Sequence, residues 1–148
     1  MRFRLPTFLA VVSLALAVPS ARAQLPVNPT TIAWTQCVNG TVSSFINVAV
    51  LGTDSTQEIL RHEQAHRAQA TKALAANGGV CHVITTPEEL LQLEAEAYCA
   101  SDVVRVRVRH TPKAEVSALT IKRLIDQFWF YGITPERIAQ VWTAVCPQ

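Results

Sequence analysis

The spacing of apolar positions changes period once along this chain, and that change divides it into two kinds of structure. Residues 31–38 (TIAWTQCV) and 41–50 (TVSSFINVAV) are rich in β-branched and aromatic side chains, and Asn39-Gly40 separates them. Both turn residues tolerate the positive φ of a type I′ turn, so the pattern predicts a β-hairpin. Asn39-Gly40-Thr41 is also a formal glycosylation sequon. At the tip of a tight turn, the turn reading is the better one.

After Gly52-Thr53-Asp54 the period becomes helical. Ser55-Thr56-Gln57-Glu58 has the S-x-x-E form of a capping box. Ile59, Leu60, Ala65, Ala68, Ala73, Leu74 and Ala75 then follow at helical spacing, up to Asn77-Gly78-Gly79, residues suited to a left-handed cap. A short connector, 80–85, leads to Thr86-Pro87-Glu88-Glu89, a second start signal with Pro at the first helical position. Leu90, Leu91, Leu93, Ala95, Ala97, Tyr98 and Ala100 carry this second helix. The stretch 103–109 (VVRVRVR) alternates like a strand, yet no breaker precedes it. It is read as continued helix with Arg105, Arg107 and Arg109 on a solvated face. Thr111-Pro112 opens a third helix that ends at Gly132, and Thr134-Pro135-Glu136 opens a fourth with Ile138, Val141, Trp142 and Val145 on one side. The predicted class is α+β, mostly α: an N-terminal β-hairpin followed by about four helices.

The N-terminus alters the composition. Arg2 and Arg4 precede the apolar run 8–18, and Ala21-Arg22-Ala23 has the A-x-A form of a cleavage site, leaving Gln24 as the new N-terminus. Residues 1–23 are therefore read as a cleaved signal peptide and 24–148 as a single domain, secreted or periplasmic. No later segment is long and apolar enough to anchor it in a membrane. The formal charge of +2 includes Arg2, Arg4 and Arg22, so the mature chain stands at about −1. That balance gives no case for nucleic acid or an anionic membrane as partner. Cys37, Cys81, Cys99 and Cys146 make an even set in an exported chain and predict two disulfides, with three connectivities open. A cysteine zinc site would need C-x-x-C spacing, which is absent.

The candidate chemistry lies on the first helix. His62-Glu63-Gln64-Ala65-His66 is an H-E-x-x-H pattern. Histidines four apart share a helix face, about 5–6 Å apart at Cβ, so two imidazoles can converge on one Zn²⁺. Glu63 stands about 100° round the helix from His62, placed to act as general base without ligating. A catalytic site needs a third protein ligand. The extended signature fails, with Gln69 and Lys72 at its Gly and His positions. His82 and His110 are isolated candidates. Glu94 and Glu96 on the second helix are better ones, and they point about 200° apart. Glu94 has the more apolar flanks, Leu90, Leu91, Ala97 and Tyr98, and a carboxylate there needs a partner. Glu94 is favoured, with Glu96 the alternative.

With Glu94-Ala95-Glu96-Ala97 following the pentapeptide, the chain resembles the gluzincin branch of zinc metallopeptidases. The likeness is to the E-x-E-A-D helix of the prenyl-protein peptidase group and its periplasmic relatives, with Tyr98 where that group tends to have Asp. The resemblance spans about forty residues. It implies a zincin-like minimal metallopeptidase core that hydrolyses a peptide or protein substrate, with Zn²⁺ on His62, His66 and Glu94 and Glu63 as base. The Tyr98 departure removes the usual partner of a metal-bound histidine. Tyr98, Tyr131, His82 and His110 are candidate oxyanion donors. Two rival readings are a zinc-stabilised binding or accessory protein of the cell envelope, and a metal-free, disulfide-bonded interaction module.

Overall fold

The computed structural model describes residues 33–46 and 56–147. The expected signal peptide, the first residues of the expected hairpin, the end of its second strand and the expected Ser55 cap lie outside the described residues.

Strand β1 (Ala33–Val38) pairs antiparallel with β2 (Thr41–Ile46), in the register Thr35↔Ser44 and Val38↔Thr41. Asn39 and Gly40 close the hairpin at φ 50° and 72°, the two positive values of a type I′ turn. Gly40 is needed for a second reason: a Cβ there would meet Gly79 O at 3.1 Å. The hairpin tip therefore lies against the end of the first helix, and the Cys37–Cys81 disulfide fastens the same junction.

Helix α1 (Thr56–Ala76) ends in a Schellman motif: Gly78 has φ 62°, and Gly79 N donates to Leu74 O at 2.8 Å. Its buried residues are Glu58 and Glu63, not apolar side chains. Helix α2 (Pro87–Val108) starts as expected, with Thr86 Oγ1 accepting from Glu89 N at 3.1 Å. The return arm of the box is shifted by one residue, because Glu89 Oε2 accepts from Thr85 N and Oε1 pairs with His82. Helix α3 (Lys113–Phe128) has Pro112 as its cap residue and no side-chain cap. One 3₁₀ turn, Trp129–Tyr131, follows, and Gly132 at φ 76° ends it. Helix α4 (Pro135–Val145) is capped by Thr134 Oγ1 accepting from Arg137 N. The fold is thus α+β and mostly helical, a two-stranded hairpin and four helices.

Helix α2 is the central element. One side packs on α3 and α4 through Leu91, Ala95, Leu124, Phe128, Ile133, Ile138, Val141 and Trp142, and Cys99–Cys146 ties α4 to it. The other side meets α1, which in turn carries the hairpin. None of the described helices is long and apolar enough to cross a membrane.

The stretch 103–109 is helical up to Val108, as read, but its arginines do not form one solvated face. Arg105 is largely buried: its Nε donates to Glu58 Oε2 at 2.7 Å, and its Nη1 stands 3.4 Å from Asp102 Oδ1. Arg109 Nη2 lies 3.0 Å from Glu58 Oε1. The buried carboxylate of Glu58 recruits them, since a charge taken out of water needs a counter-charge. Of the three, Arg107 and Arg109 are exposed.

Candidate metal centre

Helical spacing places His62 and His66 one turn apart on the α1 face that meets α2. Their Nε2 atoms are 3.0 Å apart, with the rings nearly perpendicular at 83°. Glu94, in the middle of α2, faces both: Oε2 is 3.5 Å from His62 Nε2 and Oε1 is 3.4 Å from His66 Nε2. Metal bonds of about 2.0–2.1 Å place tetrahedral donors about 3.3–3.4 Å apart. The two imidazole nitrogens are near that spacing, and each has a different Glu94 oxygen near it, at 3.5 and 3.4 Å; one atom from each of the three residues lies within 4.8 Å of the others. Two imidazoles and a carboxylate are also the donor set of catalytic zinc sites, so the residues fit such an ion.

The electrostatics suit a cation. Burial would raise the Glu94 carboxyl, but the two facing histidines hold it down at about 2. Burial would likewise lower His66, yet Glu94 and Gln69 keep it above its ordinary value. Tyr98 packs its ring on His62, centroids 4.5 Å apart, with the Arg123 guanidinium 5.4 Å from the tyrosine ring. Burial first, and the Glu94 charge second, raise the Tyr98 hydroxyl, which favours its neutral form.

Glu63 is buried and turns toward the hairpin. Thr35 Oγ1 donates to Glu63 Oε2 at 2.7 Å and lies 2.8 Å from its register partner Ser44 Oγ. Both the triad and Glu63 line one cleft of about 630 Å³. Its walls are β1 from Ala33 to Cys37, Ala70 and Ala73 of α1, and Leu90 and Leu93 of α2.

The other candidates separate clearly. Glu96 does not join the three-residue group; it bonds Gln69 and Gln92. His82 lines the same cleft but is engaged with Glu89. His110, at φ 54° just past α2, and Tyr131, on the exposed 3₁₀ turn, do not line the cleft. Thr35 and Gln69 were not anticipated. Gln69 Oε1 meets His66 Nδ1 at 2.9 Å, and its position three residues after His66 was the available signal. Nothing in the sequence pointed to Thr35, which is 28 residues from Glu63. His62 Nδ1 is buried and has no hydrogen-bond partner among the described residues.

No family model, curated protein or solved structure matches this chain.

Proposed function

We propose that this protein is a zinc-dependent hydrolase of peptide bonds, secreted or periplasmic, with His62, His66 and Glu94 as ligands and Glu63 as general base. The observation that carries the reading is the convergence of His62, His66 and Glu94 in a cleft that Glu63 also lines. When bound, Zn²⁺ supplies Lewis acidity, activating water near neutral pH and polarising a carbonyl. Glu63 accepts the proton of the attacking water and returns it to the leaving amine. Thr35 holds one Glu63 oxygen. The cleft-facing side of β1 offers an extended substrate a strand to lie along.

The test is metal content together with one substitution. The purified protein should hold about one Zn²⁺, and Glu63→Gln should keep the metal while abolishing peptide hydrolysis. A folded protein that takes up no zinc would overturn the reading.

One observation favours a second reading, in which the ion serves structure. The buried residues of α1 are glutamates, so a metal would staple a polar α1–α2 contact. On that reading Glu63→Gln is silent and His62→Ala unfolds the domain.

A further inference from the structure

The two histidines of the centre are held in unlike ways, and the difference can be traced through hydrogen-bond chemistry. Gln69 Nε2 donates to Leu93 O at 3.1 Å and to Glu96 Oε2 at 2.9 Å. Both partners only accept, so the amide nitrogen must face them and the amide oxygen must face His66. An amide oxygen also only accepts. His66 Nδ1, at 2.9 Å, therefore carries the proton, and the lone pair of the neutral ring is on Nε2, toward His62 and Glu94.

We propose that Gln69, anchored on α2 by Glu96 and the Leu93 carbonyl, is a positioning residue that fixes His66 in the Nδ1–H tautomer and keeps its Nε2 ready for a divalent cation. The assignment of the cation rests on the metal reading given above; the assignment of the tautomer does not. It gives Glu96 a role without making it a ligand. Because Leu93 and Glu96 flank Glu94, the same amide also sets the α1 ligands in register with the α2 ligand.

The consequence for His62 follows. With His66 Nε2 bare, the proton between the two Nε2 atoms, 3.0 Å apart, belongs to His62. His62 Nδ1 is then a bare acceptor, buried without a partner among the described residues. To ligate through Nε2, His62 must lose that proton to solvent and take one up at Nδ1, where no acceptor waits among the described residues. His66 would be preset, and His62 would have to change tautomer to ligate.

The experiment is a long-range ¹H–¹⁵N correlation of the imidazoles in metal-free, ¹⁵N-labelled protein, at a pH where both rings are neutral, with Zn²⁺ affinity measured by competition against a chromophoric chelator. The expected spectrum has His66 protonated at Nδ1 and His62 at Nε2. Gln69→Leu should mix the His66 tautomers and weaken Zn²⁺ binding roughly 10–100-fold, the usual cost of losing a histidine's supporting partner. The swap Gln69→Glu with Glu96→Gln should restore the tautomer, because residue 69 still accepts from His66 and residue 96 can donate to it, while the bond to the Leu93 carbonyl is lost. A wild-type spectrum with His66 protonated at Nε2 overturns the proposal. So does a folded Gln69→Leu variant with unchanged tautomer and affinity, although the metal reading would survive. If wild-type protein binds no Zn²⁺, the metal reading falls, and the spectrum still decides the tautomer. Should Gln69→Leu fail to fold, the wild-type and swap spectra carry the decision.

Discussion

Glu58 and Arg105, 47 residues apart in sequence, form a 2.7 Å ion pair across the interface of α1 and α2, and both side chains are largely removed from solvent. Arg105→Ala would leave Glu58 with Arg109 alone and remove a counter-charge from Asp102. Breaking a buried pair by deleting one partner costs about 3–5 kcal/mol. The low end is expected here, since Arg109 persists. Replacing Glu58 and Arg105 together by apolar residues should cost less than Arg105→Ala alone. Urea unfolding of the single and double variants measures the difference.

Glu94 and Glu96 should separate cleanly in metal binding. Glu94→Ala removes the only carboxylate facing the two histidines among the described residues, and Zn²⁺ affinity should collapse. Glu96→Ala leaves all three donors in place, and its effect should stay within about tenfold, the low end for a supporting partner. Ion binding to the folded state alone raises stability by about 4 kcal/mol at a thousandfold excess over Kd. A chelator should therefore lower the Tm of wild type and Glu96→Ala, but not that of Glu94→Ala. Calorimetric titration and thermal melts with and without chelator decide this.

Thr35 should matter to Glu63 in proportion to its hydroxyl. Thr35→Val removes the 2.7 Å donor from a buried carboxylate, a loss of about 1–3 kcal/mol in stability. If Glu63 is the base, kcat should fall while Zn²⁺ stoichiometry stays at one. Thr35→Ser should recover both quantities. Equal kcat in Thr35→Val and wild type would show that the hairpin does not position Glu63.

Asp102 should give stability an unusual pH slope. Burial raises its carboxyl above the ordinary value, although Thr120 donates to it at 2.7 Å and Arg105 and Arg123 lie near, with Glu58 opposing them. A carboxyl with a raised pKa in the folded state is most favourable when protonated. Its contribution is complete below the unfolded value of 3.8 and declines as pH rises through the folded value, flat beyond. Wild type should therefore lose stability relative to Asp102→Asn across that window. Denaturant unfolding of both proteins from acid to neutral pH checks the sign. A gap that grows in favour of wild type would mean that the Arg105 pair dominates.

Much of the architecture was readable because it is set locally. Asn39-Gly40 fixes the hairpin turn through its own φ angles, and Thr86-Pro87 and Thr134-Pro135 supply their own caps and first-turn φ. The preference for Glu94 over Glu96 came from its more apolar flanks on the helix, and in the structure Glu94 stands beside both histidines while Glu96 bonds Gln69 and Gln92. What could not be read depends on partners far along the chain. Arg105 looks like a surface residue until Glu58 is placed beside it. The pairings Cys37–Cys81 and Cys99–Cys146 are one of three equivalent choices until the helices pack. Thr35 is one hydroxyl among several in a strand until that strand lies across α1.

The glutamates buried on α1 imply that the two sides of α2 differ in how they resist opening. Toward α3 and α4 the contacts are chiefly apolar, with the Asp102–Thr120 bond and the Cys99–Cys146 disulfide beside them; toward α1 and the hairpin they include charge pairs and hydroxyl bonds, with Cys37–Cys81 at the junction. Local opening follows the thinnest apolar contact. The cleft side should breathe first, with backbone amides of α1 and the hairpin exchanging with solvent well before those of Leu91 or Leu124. The candidate centre would then sit on the softer half of the molecule, steadied from behind by a rigid one.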